Sequence, residues 1–336
     1  FNISTEQATD CTPTCPAGRG SVILPQTDQN PPYRVFRFVT ETPFPQLRVK
    51  PGRQFPFLAR HPWVHAHALI GRERSSSEGS HGNGGDLELG QIVDLVDVDG
   101  NFLGRGLVNP HSRLRIRLYA YDPQIEHDDA FWCGRIDAAI ARRRLTGEAA
   151  ADQAERLIFS EADLLSGLIV DRYADCLGVQ FTAGALLGWK TTILEHLQTV
   201  CQSRQIVVRI DEKTAKFEGV EPDPGSTYND GEPLDGPVSY KQNGLDLNVD
   251  LIGGQKTGGY LDQRLNHHSV AQYLRGRSVL DICCYTGGFG LVAAKAGASK
   301  VIGVDSSQSA LEAARHAADR NGIEKIGRAS CRESVW

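Results

Sequence analysis

Val279-Leu280-Asp281-Ile282-Cys283-Cys284-Tyr285-Thr286-Gly287-Gly288-Phe289-Gly290 carries an apolar run into an acid and then into a glycine turn. Such a run reads as a strand delivering the chain to a tight turn. Leu291 to Ala296 is small and apolar, as a helix start should be. After Gly297, Lys300-Val301-Ile302-Gly303-Val304-Asp305 repeats the first pattern, a buried strand ending in an acid. The order is β-α-β, and the place where it turns is a nucleotide-type pocket. Glycine lets the backbone turn sharply and approach a ligand, and the helix that follows presents unpaired N–H groups and the positive end of its dipole. Asp305, at the end of the second strand, has the chemistry to accept hydrogen bonds from a ribose diol.

Two ligand classes fit this pattern. Gly288-Phe289-Gly290-Leu291-Val292-Ala293 matches the dinucleotide fingerprint G-x-G-x-x-A, which admits NAD. Asp281 argues the other way. A carboxylate just before the turn repels a pyrophosphate, whereas it suits a ligand carrying an ammonium or sulfonium group.

The residues upstream sharpen the choice. Gln255-Lys256-Thr257-Gly258-Gly259-Tyr260-Leu261-Asp262-Gln263-Arg264, followed by Asp281 through Phe289 and then Asp305, resembles the S-adenosylmethionine site of ribosomal RNA large subunit methyltransferase I and its relatives. The resemblance implies the start of a Rossmann-like class I methyltransferase domain with S-adenosylmethionine as cofactor. The contacts it implies are Lys256, Thr257, Gly258, Tyr260, Gln263, Arg264, Asp281, Cys284, Tyr285, Thr286, Gly287, Gly288, Phe289, Asp305 and Ser306. It further implies methylation of cytosine C5 in large-subunit (23S) rRNA in the cytoplasm. In that chemistry a cysteine thiolate adds to C6 of the pyrimidine, C5 then attacks the methyl group, and a base removes the C5 proton. The family's thiolate and its aspartate-proline motif lie in later strands, so no catalytic residue is assigned in this chain. Cys283 and Cys284 are read as lining the cofactor pocket. The chain is therefore expected to be a fragment that transfers no methyl group by itself. Two rival readings stand beside this one: a non-catalytic RNA-binding protein, and an NAD-dependent oxidoreductase.

The 336 residues have room for two or three domains, and no run approaches the ~18 apolar residues of a membrane span. The 8 cysteines form no CxxC pair, which favours reduced thiols. A net charge of -5 does not advertise nucleic-acid binding, so any RNA contact must come from a local patch. A homodimer is left open.

Residues 1–44 are rich in Pro, Thr, Gln and Asn and read as a disordered or non-native leader; Cys11 and Cys15 lack a second pair to complete a metal site. Between 45 and 122 the pattern is one of short strands, with Ile92–Val98 and Phe102–Val108 flanking a hairpin at Asp99-Gly100. Arg113-Leu114-Arg115-Ile116-Arg117-Leu118 alternates strictly, so the three arginines share one strand face, either an RNA phosphate contact or the solvated outside of a small barrel. Gly52-Arg53 and Arg60-His61-Pro62-Trp63-Val64 resemble the opening of a PUA domain, which implies an RNA-binding β-barrel. That resemblance also accounts for the histidines here, and no metal site is assigned.

A helix is expected over 128–145, with Arg142, Arg143 and Arg144 as a solvated basic end. Arg156 to Asp163 and Gly167 to Tyr173 resemble the family's central α+β domain, taken as 123–243, except that Leu164 and Ala174 stand where the family usually has glycine. The remainder of that domain reads as a helix near Leu186–Cys201, a strand Ile206–Ile210 and a loop from Glu221 to Gly236. A half-buried strand from Leu245 to Leu251 opens the methyltransferase segment, 244–326. After Asp305, Ser306 or Ser307 caps a helix that stops at Asn321-Gly322. No further strand is expected after Ile326, and residues 327–336 read as a translated adaptor.

Overall fold

Alternation of short apolar strands with Gly and Asn turns produces the first sheet of the computed structural model, which describes residues 44–70, 87–145, 154–228, 234, 236–324 and, as backbone alone, 326–330. The readings placed on 1–43 and 331–336 lie outside the described residues. Strands β1 (Gln46–Arg48), β2 (Trp63–His65), β3 (Ile92–Val96), β4 (Phe102–Val108) and β5 (Leu114–Ala120) run in the order β1-β3-β4-β5-β2, with the short helix α1 (Phe55–Leu58) between β1 and β2. A Val49–Leu69 bridge joins the two ends of the sheet into a barrel. Val49, Val64, Leu95, Val108 and Ile116 fill its core. At the β3–β4 hairpin only Gly100 of the Asp99-Gly100 pair has positive φ, because Asp97 organises the loop by accepting from the Asp99 and Asn101 amides.

β5 departs from simple alternation. Ile116 and Leu118 enter the barrel core, but the opposite face is covered as well: Arg117 is 8% exposed and Tyr119 packs into the neighbouring core. That neighbour is built from α2 (Asp129–Leu145), β6 (Ala154–Phe159), β7 (Leu168–Tyr173), β8 (Cys176–Phe181), α3 (Lys190–Cys201), β9 (Gln205–Ile210), α4 (Glu212–Glu218) and β10 (Asp223–Thr227). Its sheet order is β10-β9-β8-β7-β6. β10 corrects the expected loop: it is a short antiparallel edge strand on β9, a position that tolerates Pro224. Trp132, Ile136, Ala139 and Ile140 bury one face of α2 against this sheet. The basic end of α2 is also corrected. Arg142 and Arg143 both bind the buried carboxylate of Asp163, at 2.9 and 2.6 Å. Leu164 and Ala174 sit at φ 59° and 51°, left-handed positions where glycine carries no steric cost.

A hairpin, β11 (Val238–Gln242) and β12 (Leu245–Val249), then leads to helix α5 (Arg264–Ala271). The last layer is β13 (Ser278–Ile282), α6 (Gly288–Lys295), β14 (Lys300–Asp305), α7 (Gln308–Arg320) and β15 (Ile326–Ser330), with three parallel strands in the order β13-β14-β15. The strand at Ile326 corrects the expectation that none follows. Its backbone pairs residue by residue with Val301 to Asp305, which satisfies the outer edge of β14. β13 is an edge strand among the described residues, and Leu280 and Ile282 on it are 60% and 65% exposed. The architecture is thus a PUA-like barrel, a central α+β layer and a Rossmann-like α/β layer.

Candidate functional site

The β13–α6 turn is closed by positive-φ residues that are not all glycine: Cys283, Tyr285 and Gly287 have φ of 61°, 48° and 81°. Such a run is strained for ordinary side chains and persists where surrounding bonds fix it. Two carboxylates provide those bonds. Asp305, at the end of β14, accepts from the Tyr285 amide and from the Ser307 amide, both at 2.8 Å. Asp281, at the end of β13, accepts from the Gly290 amide at 2.9 Å, inside the first turn of α6. Burial lifts the Asp281 carboxyl above the usual range, Gly290 offsets this in part, and Asp305 adds to it. The turn therefore brings two carboxyl groups close enough that the charge of one opposes the ionisation of the other.

Gly288 and Gly290 do not form the turn; both lie in α6. A Cβ on Gly288 would stand 2.4 Å from the His267 ring, and one on Gly290 would meet Val301 and Asp281. The G-x-G-x-x-A match thus reflects close packing of helix on strand and helix. Burial lowers His267 to about 4, so that it packs against Phe289 as a neutral ring at 4.3 Å. Cys284 is buried below the turn, and that burial, with Asp281 and Asp305 beside it, pushes its thiol up to about 12. It lines a cavity of about 390 Å³ between α6, α7 and the sheet, together with Asp281, Gly287 and Gly303.

The segment 255–263 lies against the same turn. The Tyr285 hydroxyl donates to the Gly258 carbonyl at 3.4 Å and accepts from the Gln255 amide at 3.2 Å. The Tyr260 and Tyr285 rings meet edge to face at 5.3 Å, and Lys256 lies over Tyr260 while pairing with Asp262 at 3.1 Å. Gln263 bonds Asp262 and Asn266, and Ser306 is exposed beyond Asp305. Lys256, Gly258, Tyr260, Tyr285 and Asp305 are therefore brought together around the turn.

Three expected contacts are corrected. Thr257 is 1% exposed and donates its hydroxyl to Asp171 on β7. Arg264 is buried and donates to the Ala154 carbonyl at 3.0 Å. Both face the central sheet, because the 255–264 segment passes between two layers and only alternate parts of it turn toward β13. Arg117, read with Arg113 and Arg115 as a phosphate contact, lies between barrel and central layer. It reaches Glu161 and Glu218 at 3.5 Å each and donates to Ser166 and to the Thr182 carbonyl. Arg115 is half-buried and donates to the Asn109 carbonyl; Arg113 remains exposed.

Sequence reasoning missed Arg156, Asp171 and Arg209, which hold the back of the cofactor segment. One signal was present: Gly178 inside a strand, a frequent mark of close backbone approach. A Cβ there would stand 2.7 Å from the Thr257 carbonyl oxygen.

An S-adenosylmethionine-type ligand suits this donor set. A carboxylate offers about four acceptor sites, so the two amides on Asp305 leave it capacity for a vicinal diol. The paired acids favour a cationic ligand over a pyrophosphate.

Comparison with known proteins agrees. A PUA-like domain family matches residues 47–121, and an S-adenosylmethionine-dependent methyltransferase family matches residues 195–334. The chain is 38% identical over 280 residues to ribosomal RNA large subunit methyltransferase I of Shewanella denitrificans, covering 83% of this chain and 67% of the relative. It is 36% identical over 272 residues to the protein of that name from Tolumonas auensis, covering 81% and 66%. The chain thus spans about two thirds of the length of these relatives. Two solved structures share its fold. One, described as a SAM-dependent methyltransferase from Streptococcus mutans, superposes with a TM-score of 0.68 at 17% identity over 84% of this chain and 70% of its own. The other, a methyltransferase complexed with SAH, gives 0.69 at 16% identity over 85% and 69%. The cofactor of the matched domain is S-adenosylmethionine. By its likeness to these relatives over more than four fifths of its length, the chain belongs to the ribosomal RNA large subunit methyltransferase I family.

Proposed function

We propose that the chain binds S-adenosylmethionine at the carboxyl ends of β13 and β14 and presents it, with large-subunit rRNA docked on the barrel, for methylation of a cytosine C5. The observation that carries this reading is the pair of carboxylates at the strand ends, Asp281 shaping the helix start and Asp305 fixing Tyr285. When bound, the cofactor supplies an electrophilic methyl group on a sulfonium. Asp305 would accept from its ribose hydroxyls, and Lys256, Gly258, Tyr260, Gln263, Tyr285, Thr286, Gly287, Gly288, Phe289 and Ser306 would hold it, with Asp281 and Cys284 beside them.

The RNA surface is assigned to the α1 side of the barrel. Residues 44–70 contain four Lys/Arg and no Asp or Glu, against a net charge of -5 for the chain. Phe55 and Leu58 are 65% and 63% exposed there, and Arg53, Arg60 and, from β5, Arg113 are exposed. Aromatic faces stack unpaired bases while guanidinium groups hold phosphates. Replacing Arg53 and Arg60 by alanine should make the salt dependence of rRNA-fragment binding shallower by about 0.7 for each phosphate left without its arginine. An unchanged slope leaves these arginines as a solvated face.

The 336-residue chain itself is expected to transfer no methyl group. The attacking group must be a thiolate. Among the described residues, burial raises Cys133, Cys176, Cys201 and Cys284, Cys176 to about 11, and the one exposed thiol, Cys283, sits in the β13–α6 turn, where it lines the cofactor site rather than a base pocket. Incubation with tritiated S-adenosylmethionine and undermethylated rRNA should give no incorporation, and turnover would mean that one of these thiols has been misjudged.

A further inference from the structure

Gly178 is the centre of a row that runs straight across the central sheet. Arg156 on β6 stands opposite Asp171 on β7, Asp171 opposite Gly178 on β8, and Gly178 opposite Val207 on β9. Directly opposed residues share a face, as do residues two apart on one strand, so Arg209 on β9 belongs to the same face. Gly178 is the gap in the row. Its missing side chain lets the backbone of Thr257 lie on the sheet, since a Cβ would stand 2.7 Å from the Thr257 carbonyl oxygen.

The polar members of the row hold what lies in that gap. Arg156 binds Asp171 through two parallel hydrogen bonds of 2.9 Å, and Asp171 is fully buried. The fork leaves the carboxylate with acceptor capacity to spare, and the Thr257 hydroxyl uses part of it. Arg209 donates to the carbonyls of both Gly254 and Lys256, the latter at 2.7 Å. Two residues on from Asp171, Tyr173 packs beneath Gly259, where a Cβ would come within 3.2 Å of its hydroxyl. The segment 254–259 is thus held by the central sheet through side chains on β7 and β9, with Arg156 on β6 bracing Asp171 from behind.

Its opposite side meets the cofactor turn. The Gly258 carbonyl and the Gln255 amide both bond the Tyr285 hydroxyl, and the Tyr285 amide bonds Asp305. A continuous path of contacts runs from Asp171 through Thr257, Gly258 and Tyr285 to Asp305.

We propose that the central sheet is a platform for the cofactor site, with Asp171, Thr257 and Arg209 as positioning residues that set Tyr285 and Asp305 without touching the cofactor. The proposal rests on the reading of the turn as an S-adenosylmethionine site. It reassigns Thr257 from ligand contact to anchor, and it gives the central layer a part in cofactor binding beyond joining barrel to methyltransferase fold.

Thr257 provides the test, because valine matches its shape without the hydroxyl while serine keeps the hydroxyl without the methyl. The purified chain is titrated calorimetrically with S-adenosylhomocysteine as wild type, Thr257→Val and Thr257→Ser, and each protein is melted in parallel. Hydrogen bonds to a buried carboxylate are strong enough that Thr257→Val should weaken binding about tenfold. Thr257→Ser should recover most of it, and the Arg209→Ala variant should weaken binding through the same segment. Equal affinity of Thr257→Val and wild type, or a Thr257→Ser protein as weak as Thr257→Val at an equal melting temperature, overturns the platform. Failure of the wild type to bind the ligand overturns the cofactor reading itself, and the platform with it.

Discussion

Replacing Arg117 by alanine separates two accounts of the β5 arginines. In the structure its guanidinium lies 3.5 Å from both Glu161 and Glu218 and donates to Ser166 at 3.1 Å and to the Thr182 carbonyl at 3.2 Å, with its side chain 10% exposed. Removing one partner of a buried ionic cluster costs about 3–5 kcal/mol because the carboxylates left behind lose their compensation. Two features place Arg117 at the lower end of that range. Its ion pairs are long, and Glu218 keeps the Asn109 side chain, the Ser112 hydroxyl and the Gly184 amide as donors. A loss of about 3 kcal/mol is expected, read as a lower urea midpoint at unchanged slope. Binding of an rRNA fragment under conditions where the variant stays folded should keep its salt dependence. An Arg117→Ala protein as stable as wild type, but with a shallower salt slope, would refute the burial argument and restore the phosphate contact.

Leu164→Gly and Ala174→Gly should each stabilise the chain by about 0.5–1 kcal/mol, since relief of the left-handed strain outweighs the entropy that glycine adds to the unfolded state; urea titration of each single variant checks this. Stability should fall on acidification. Burial lowers His127 to about 3 and His267 to about 4, so the unfolded chain takes up protons from pH ~6.5 downward while the folded chain does not. The contribution of the neutral rings is complete above that pH and is lost as pH falls toward the folded values. His127→Phe should remove about half of the slope that the two histidines give between pH 6.5 and 4, measured by thermal melts across that window.

The β-α-β order, the helix α2 and the carboxylates at both strand ends were legible in the sequence, because each rests on local periodicity or on a turn whose residues announce it. What escaped was set by contacts across layers. Alternation in 113–118 identified one shared face for the arginines, but nothing local says that Glu161 and Glu218, far along the chain, cover part of that face. Thr257 and Arg264 carry a cofactor motif, yet their side chains answer to Asp171 and Ala154, residues of another sheet. Leu164 and Ala174 offered no turn signal in their own residue types, only in the glycine that the resembled family has there, since the surrounding fold imposes their positive φ against their own preference. β15 pairs through backbone that any sequence possesses, so its composition gave no warning.

The central claim is that the turn between β13 and α6 holds S-adenosylmethionine through Asp305. Calorimetric titration of the purified chain with S-adenosylmethionine and, separately, with NAD tests it most directly, with Asp305→Ala alongside. Binding of S-adenosylmethionine alone is expected, weakened in Asp305→Ala by about 1–3 kcal/mol through loss of charge-assisted hydrogen bonds to the ribose. Tight binding of NAD with no heat from S-adenosylmethionine, or an Asp305→Ala variant that binds the cofactor as well as wild type, would contradict it.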